Sequence, residues 1–237
     1  MIKLGIIGAM TVEVETLKCN MENLTVTHRA GMEFCDGLLE GLPVTVSVCG
    51  VGKVNAALCV QVMSDYFGVT HIVNTGVAGS LCNDLDIGDF VISRDAVYHD
   101  FDCHVLNDHY VVGQVPGLAV RAFPADKLLM TLAQAAAEQV KPGGTMVGTV
   151  ASGDQFVCSK EVKSAIVANT GAVCTEMEGA AIAHAAWRNG VPFVVIRAIS
   201  DKADDSAEMD FPTFEAIAAK NCAEVTQTLA KNLAIRQ

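Results

Sequence analysis

The sequence predicts a single α/β domain in which helices cover both faces of a mixed, mostly parallel β-sheet. Its 237 residues are enough for one large domain with a substantial core. Hydrophobic residues make up 51% of the chain and aromatic residues only 5%, which is typical of aliphatic strands buried on both faces. No repeat or linker divides the chain. We therefore expect residues 1–237 to form one domain.

Short runs rich in β-branched residues recur along the chain and predict the strands of this sheet. Several are nearly continuous rather than alternating, as expected for strands that are buried on both faces. The predicted strands are residues 2–7, 44–48, 71–74, 90–93, 145–150, 172–174 and 191–199. Between residues 24 and 48, partial alternation and three glycines predict antiparallel hairpins instead.

Helical patterns fall between these runs. Residues 53–67 carry apolar side chains at every fourth position, and residues 127–140 are rich in Ala and Leu before a Lys-Pro-Gly-Gly sequence ends the pattern. Residues 214–235 place apolar side chains on one face, which predicts an amphipathic helix that packs on the sheet. Alternating strands and helices of this kind predict a three-layer αβα arrangement.

The acidic composition argues against two classes of partner. The formal net charge is −11, whereas nucleic acids and anionic membrane surfaces attract clustered Lys and Arg. No apolar run approaches the ~20 residues of a membrane span. The nine cysteines include no Cys-x-x-Cys pair, which indicates a reducing compartment and disfavours zinc. We expect a cytoplasmic protein without a metal.

Three glycine-containing segments follow predicted strands, at residues 5–10, 49–53 and 74–79. Each alone is explained by a tight turn that uses the free φ of glycine. None completes a dinucleotide fingerprint, and none is a P-loop, because Val54 follows Lys53 where Ser or Thr is required. Together they mark the carboxyl ends of strands, where open α/β sheets bind ligands.

Several side chains near these strand ends each have a structural and a functional interpretation. Glu13 is either a first-turn acid on a helix dipole or a catalytic group. Glu176 and Glu178 are either a solvated strand end or site residues, and the apolar stretches around them favour a site. Phe156 is either a core residue or a stacking partner. Asp201 follows a buried run and is either a helix N-cap or a proton donor over a pocket.

Ordered motifs at matching spacing resemble the 5′-methylthioadenosine/S-adenosylhomocysteine nucleosidases, within the purine nucleoside phosphorylase superfamily. The motifs are GIIGAM followed by Glu13, CGVGKVNAA, NTGVAG, SGDQF, EMEGAAIAH and FVVIRAISD. The resemblance runs nearly from end to end of the chain. It implies a nucleoside phosphorylase-like fold, an adenine thionucleoside as the small-molecule substrate, and no cofactor.

The resemblance assigns roles to three carboxylates. Cleaving an N-glycosidic bond builds positive charge on the ribose, and glycosidases meet this state with two carboxyl groups whose pKa values differ. The resemblance implies that Asp201 transfers a proton to adenine N7 and that Glu13 activates the attacking water. Glu178 would accept hydrogen bonds from the ribose hydroxyls, with Met177 lining the sugar.

The resemblance also assigns the rest of the substrate site. Phe156 would stack on the purine, and the backbone of Val157 would read the purine edge. Arg197 and Ser200 would hold the Asp201 loop. Further substrate-binding residues are Met10, Val51 and Phe211 in the thioether pocket, together with Val77, Ala78, Gly79 and Glu176. Val77 stands where many relatives have a hydroxyl residue, so the placement of water is expected to differ.

Residues 98–116, which are rich in His and Asp, match a loop that closes the thioether pocket of a neighbouring subunit in related enzymes. A homodimer is therefore expected. His99, His104 and His109 recur at a spacing of five residues, which is not a known metal-ligand pattern, and the resemblance offers no metal.

Water is expected as the nucleophile rather than phosphate. Phosphorylases hold phosphate with cationic groups, usually arginines, whereas the residues after Met10 include Thr11, Glu13 and Glu15. Two alternatives stay open. One is an aminodeoxyfutalosine nucleosidase, or another purine nucleoside hydrolase, that uses the same carboxylates. The other is a nucleoside-binding protein without activity.

Overall fold

The computed structural model describes residues 2–106 and 110–236, which form a mixed ten-stranded sheet with six α-helices. The strands are β1 (Leu4–Gly8), β2 (Glu22–Arg29), β3 (Met32–Leu39), β4 (Leu42–Val48), β5 (His71–Ser80), β6 (Phe90–Tyr98), β7 (Phe123–Pro124), β8 (Thr145–Ser152), β9 (Cys174–Glu176) and β10 (Phe193–Asp201). The helices are α1 (Thr11–Cys19), α2 (Lys53–Val62), α3 (Lys127–Val140), α4 (Lys160–Thr170), α5 (Gly179–Asn189) and α6 (Ala207–Ala234).

Five of the strands close into a ring. β5 pairs with β10, β10 with β6, β6 with β8 and β8 with β9, and β9 returns to β5. β1 pairs parallel with β5 and β4, and β4, β3 and β2 continue as the antiparallel hairpins that the sequence predicts. The predicted mixed sheet is thus confirmed. The ring arises because the ten-residue β5 is long enough to pair with three different strands.

Helices pack on both faces of the sheet, so the predicted three layers are confirmed. α1, α3 and α6 share an apolar cluster with one face, and α2 and α5 share a second cluster with the other. Adjacent residues of β1 show the separation: Ile6 belongs to the first cluster and Ile7 to the second. Among the described residues, no helix has the length and apolar character needed to cross a bilayer.

The predicted helices are present, with one changed boundary. α3 has the predicted bounds, and α2 continues as a π-helical turn (Met63–Phe67) to the predicted end. α6 begins at Ala207, although Pro212 lies inside it. Proline removes the N–H that would bond the carbonyl of Glu208. Because Glu208 and Pro212 are both exposed, water can satisfy that carbonyl.

The turn predicted at residues 74–79 is not a turn. β5 continues through it to Ser80, and neither Gly76 nor Gly79 has a positive φ. A Cβ added at Gly79 would lie 2.7 Å from Oδ1 of Asp201, and one added at Gly76 would overlap Arg197 and Glu13. These glycines are therefore needed because charged side chains pack directly on the strand. The turn predicted at residues 49–53 is confirmed by positive φ values at its two glycines.

Candidate active site

A cavity of about 270 Å³ opens at the carboxyl ends of β1, β5, β8, β9 and β10. All predicted site residues except Arg197 line it. The cavity therefore brings together segments that extend from residue 10 to residue 211 of the chain. Three further lining residues, Ala9, Gln155 and Thr175, are absent from the sequence predictions. Each is next in sequence to a predicted site residue, so its nearness to the motifs could have identified it as a lining residue.

Glu13 is a buried carboxylate in the first turn of α1, with only 2% of its surface exposed. Its Oε2 accepts the N–H groups of Ala9 at 2.7 Å and Met10 at 2.9 Å, and its Oε1 accepts the N–H of Val77 at 3.1 Å. Burial raises the pKa of Glu13, while Arg197 and these three donors oppose the rise. Such donors stabilise the ionised form, which is the form a general base requires.

The Glu13 carboxylate lies in a gap between strands β1 and β9 along one edge of β5. On one edge of β5, pairing with β1 ends at Asn74, and pairing with β9 begins only at Gly79. Within this gap the Glu13 carboxylate accepts the Val77 N–H, as a neighbouring strand otherwise would. The side chain of Val77 lines the cavity and offers no hydroxyl there.

Arg197 lies behind the cavity wall, in the middle of β10, and is 1% exposed. Its Nη2 contacts Oε2 of Glu176, donates to Oδ1 of Asn74 at 2.5 Å, and lies 4.0 Å from Oε2 of Glu178. Burial lowers the pKa of Arg197, but Glu176, Glu13 and Glu178 outweigh burial and raise it. One cation therefore faces three buried carboxylates.

Glu176 uses its oxygens within the protein. Oε1 accepts the hydroxyl of Ser152 and the N–H of Gly179 at 3.0 Å, and Oε2 accepts the N–H of Gly179 at 2.8 Å and of Glu178 at 3.1 Å. Together with the Arg197 contact, these bonds fix the start of α5. Glu176 lines the cavity but mainly braces its neighbour Glu178.

Glu178 flanks the first residue of α5 and is 5% exposed. Its Oε1 accepts the N–H of Gly52 at 2.8 Å, which joins it to the glycine turn after β4. Burial and the nearby Glu176 raise the pKa of Glu178, and Arg197 opposes them. No hydrogen bond within the described residues engages its Oε2, whose nearest ion-pair contact is Arg197 at 4.0 Å.

Asp201 ends β10 and is 2% exposed. Its Oδ2 accepts the hydroxyl of Ser200 at 2.9 Å, and its Oδ1 accepts the N–H of Ala203 at 2.8 Å. α6 starts only after Ser206, so the interpretation of Asp201 as a helix N-cap is wrong. Burial raises the pKa of Asp201, the Ala203 N–H and the Ser200 hydroxyl oppose the rise, and the charge of Asp210 adds a smaller contribution that raises it. A raised pKa favours the protonated form that a donor requires.

Apolar and aromatic side chains form the mouth of the cavity. Phe156 and Phe211 meet edge to face, with ring centroids 5.5 Å apart at 77°. Phe156 is 44% exposed and Val51 is 50% exposed, whereas Val157 is buried. The cavity thus offers an apolar entrance and a charged interior.

Among the described residues, the cavity lining contains no Lys or Arg side chain. No group of three or more His, Cys, Asp or Glu residues is placed to hold a metal within the same part of the chain. His104 contacts Asp102 at 2.6 Å on the surface, and His109 lies outside the described residues. The described parts of residues 98–116 do not line the cavity of their own subunit.

Known proteins share this architecture. A family model described as phosphorylase superfamily matches residues 3–231. A 5′-methylthioadenosine/S-adenosylhomocysteine nucleosidase from Psychromonas ingrahamii is 40% identical over 98% of this chain and 99% of its own length. The Neisseria meningitidis nucleosidase, solved with methylthio-immucillin-A, has a TM-score of 0.94 at 35% identity and covers 98% of this chain and 100% of that one.

A futalosine hydrolase of Helicobacter pylori also has this fold, with a TM-score of 0.91 at 33% identity over 98% of each chain. The chain belongs to the phosphorylase superfamily and, within it, to the family of 5′-methylthioadenosine/S-adenosylhomocysteine nucleosidases.

Proposed function

We propose that this protein hydrolyses the N-glycosidic bond of 5′-methylthioadenosine and of S-adenosylhomocysteine, releasing adenine and the 5′-thioribose product. The observation that carries the proposal is a pair of buried carboxyl groups, Glu13 and Asp201, in one cavity but in different surroundings. Glu13 accepts three backbone N–H groups, whereas Asp201 accepts one N–H and one hydroxyl. The nucleosidase relatives support the choice of substrate.

Asp201 is proposed to protonate N7 of adenine as the base leaves. Departure of the base places negative charge on the purine, and a neutral carboxylic acid can neutralise it by donating its proton. Burial raises the pKa of Asp201, with a smaller contribution from the charge of Asp210, and so retains that proton to higher pH. A positioned acid contributes roughly 10²–10⁴-fold to the rate.

Glu13 is proposed to accept a proton from the water that attacks the ribose C1′. Its three N–H donors favour the carboxylate, and Arg197 adds a positive charge nearby. The excess of carboxylates over cations around the cavity also suits a sugar that develops positive charge in an oxocarbenium-like transition state. The two roles therefore require Glu13 to lose its proton at a lower pH than Asp201.

Remaining roles follow the positions of the lining residues. Glu178 is proposed to bind the ribose hydroxyls, with Met177 against the sugar. Phe156 is proposed to stack on the purine while the backbone of Val157 reads its edge, and the apolar mouth is proposed to take the thioether. Glu176 and Arg197 act on the substrate through Glu178, because their polar contacts are within the protein.

Water is the proposed nucleophile because nothing in the described lining would hold phosphate. Arg197 is the nearest buried cation, and it is engaged by Glu176 and Asn74. An incoming phosphate would instead meet Glu13, Glu176 and Glu178, which repel an anion.

A second candidate is hydrolysis of aminodeoxyfutalosine or of another purine nucleoside. The similarity to the futalosine hydrolase favours it, because that enzyme aligns with 98% of this chain. The chemistry at the base and ribose would be unchanged, and only the group at the 5′ position would differ. The half-exposed mouth around Val51 and Phe156 is the part of the cavity that would discriminate between them.

We also propose a homodimer located in the cytoplasm. Val54 and Leu58 on α2 are 71% and 46% exposed, beside a groove lined by α2 and α5, and a second subunit would cover them. All nine cysteines are unpaired, as is typical of a reducing compartment. Light scattering after size-exclusion chromatography tests the dimer, and a monomeric mass at working concentration would refute it.

An adenine-release assay tests the proposed activity. Purified protein is incubated with methylthioadenosine, S-adenosylhomocysteine, aminodeoxyfutalosine and inosine, each with and without inorganic phosphate. We expect adenine from the first two substrates at a rate that does not depend on phosphate. Release from aminodeoxyfutalosine alone would select the second candidate, and a strict requirement for phosphate would exclude a hydrolase.

A further inference from the structure

Three charged residues form a closed network beside the cavity lining, in which Lys53 follows Val51 by two residues and Asp154 adjoins Gln155. The ammonium of Lys53 lies 2.6 Å from Oδ2 of Asp100 and 3.6 Å from Oδ2 of Asp154. The backbone N–H of Lys53 donates to Oδ1 of Asp154 at 2.9 Å, and the N–H of Asp154 donates to Oδ2 of Asp100 at 2.9 Å. Each member thus contacts both others. We call these three residues the rim clamp.

The rim clamp joins three separate segments of the chain. Lys53 is the first residue of α2 and follows the glycine turn that carries Val51 and the Gly52 N–H bound by Glu178. Asp154 precedes Phe156 in the loop after β8, and Asp100 lies in the loop after β6, two residues beyond Tyr98. The parts of the cavity lining that contain Val51 and Phe156 are therefore tied to each other by the Lys53 ammonium and by the Lys53 backbone N–H that Asp154 accepts.

The surroundings distinguish this network from an ordinary surface ion pair. The side chains of Lys53 and Asp100 are 22% and 26% exposed, that of Asp154 is 51% exposed, and the ammonium lies 5.5 Å from the centre of the Tyr98 ring. Burial alone would raise the pKa of Asp100, but Lys53 and the Asp154 N–H hold it below its usual value. Networks of partly buried charges are worth more than isolated exposed pairs, which contribute little.

We propose that Lys53, Asp100 and Asp154 are positioning residues that set the separation of the Val51 and Phe156 walls and the placement of Glu178. Their contribution is to substrate binding and to the alignment of the sugar, since none of them is bonded to Glu13 or Asp201. This inference rests on the proposed nucleosidase function. It also gives the loop after β6 a route to the ribose end of the site, through Asp100, Lys53 and Gly52.

Lys53→Met tests the inference, because methionine keeps most of the length of the side chain and removes the charge. With methylthioadenosine as substrate, we expect KM to rise roughly tenfold while kcat changes less than about threefold, because the walls loosen and the reacting groups stay in place. Lys53→Arg retains the cation and should restore most of the affinity. Asp100→Asn should reproduce the defect, and Lys53→Met combined with Asp100→Asn should add little further loss.

Salt dependence provides an independent measurement. Methylthioadenosine carries no net charge near neutral pH, so a salt effect on its KM reflects the protein. Screening lengths fall from about 30 Å to about 3 Å between ~0.01 M and ~1 M salt. We expect the KM of the wild-type protein to rise over this range and the KM of Lys53→Met to stay nearly constant.

The matched control is Lys18→Met. Lys18 is also a half-buried lysine in an ion pair, with Glu33 at 2.9 Å and 19% exposure, but neither residue lines the cavity. We expect an unchanged KM for Lys18→Met. An unchanged KM for Lys53→Met in a folded protein, or equal effects of the two substitutions, would overturn the rim clamp as a positioning device.

Failure of the proposed function is a separate outcome. If the wild-type protein releases no adenine from methylthioadenosine, the proposed activity is lost, and the rim clamp is then judged by calorimetry with adenine as the probe. Weaker adenine binding by Lys53→Met, with recovery in Lys53→Arg, would support the clamp. Equal adenine affinity in all three proteins would overturn it.

Discussion

Replacing Glu13 with glutamine removes a buried charge without changing the size of the side chain. The carboxylate accepts three N–H groups, two on Oε2 from Ala9 and Met10 and one on Oε1 from Val77. An amide has only one oxygen. If that oxygen stays with the first two donors, the amide NH₂ group faces the Val77 N–H, and the third bond is lost. A buried donor without a partner costs about 1–3 kcal/mol.

The stability loss should depend on pH, and its sign follows from the pKa of Glu13. Burial raises that pKa above the usual value of 4.5, so the folded protein binds the proton more tightly than the unfolded chain. The stability contributed by this proton is fully present below the unfolded pKa and is lost as pH rises through the folded pKa. Glutamine cannot ionise. The difference in unfolding free energy between the wild-type protein and Glu13→Gln should therefore shrink as pH rises.

Loss of the base should lower kcat by roughly 10²–10⁴-fold, which corresponds to about 3–5 kcal/mol of activation free energy. The assay is the initial rate of adenine release from methylthioadenosine, combined with thermal unfolding and with calorimetric binding of adenine. Binding of adenine should survive, because Glu13 accepts backbone N–H groups and is proposed to act on the water that attacks the ribose rather than on the base. Glu15→Gln, an exposed substitution on the same helix, is the control and should leave kcat and the unfolding temperature unchanged.

Turnover of Glu13→Gln within about threefold of the wild-type rate would refute the assignment of Glu13 as base. A rise in KM at constant kcat would also contradict it, because it would indicate a binding role. A fall in activity that is fully accounted for by the unfolded fraction at the assay temperature would show only a structural role.

Three further substitutions give distinct expected outcomes. Asp201→Asn should abolish adenine release. The variant protein should nevertheless unfold at or above the wild-type melting temperature at pH 8, because the amide can keep both hydrogen bonds and removes a buried charge. A marked drop in melting temperature would contradict this. Asp210→Asn should lower the pKa of Asp201 and move the alkaline limb of the pH–rate profile to lower pH, whereas exposed Asp205→Asn should leave it in place. Gly76→Ala should lower the free energy of unfolding by about 1–3 kcal/mol and reduce kcat, because the added methyl group overlaps Arg197 and Glu13; wild-type stability and rate would show that the overlap is relieved.

The sequence predicts the three layers and most elements, because local periodicity and composition determine them. Residues 74–79 show where local reasoning fails. Glycines after a strand are most simply explained by a turn, but Gly76 is needed because Arg197, more than a hundred residues later in the chain, packs across it. That reason is a long-range contact, which a single sequence does not reveal. The closed ring of strands depends on similar long-range pairings of β5.

The cavity lining was predictable because the motifs carry it, whereas its supporting contacts were not. Arg197 is predicted to hold the Asp201 loop, but its hydrogen bonds go to Asn74 and Glu176. A buried arginine needs partners wherever the fold supplies them, and its sequence neighbours do not identify these partners. The same holds for Lys53, whose contacts lie 47 and 101 residues away.

The strand gap beside Glu13 also determines which amide protons report on the site. Backbone N–H groups within a sheet exchange with solvent only when the surrounding structure opens. In β5 the N–H of Val77 is held by the Glu13 carboxylate rather than by another strand. Its hydrogen-exchange rate is therefore a residue-specific measure of whether that side chain is in place. Fast exchange at Val77 with slow exchange at Val73 would separate movement of Glu13 from opening of the whole strand.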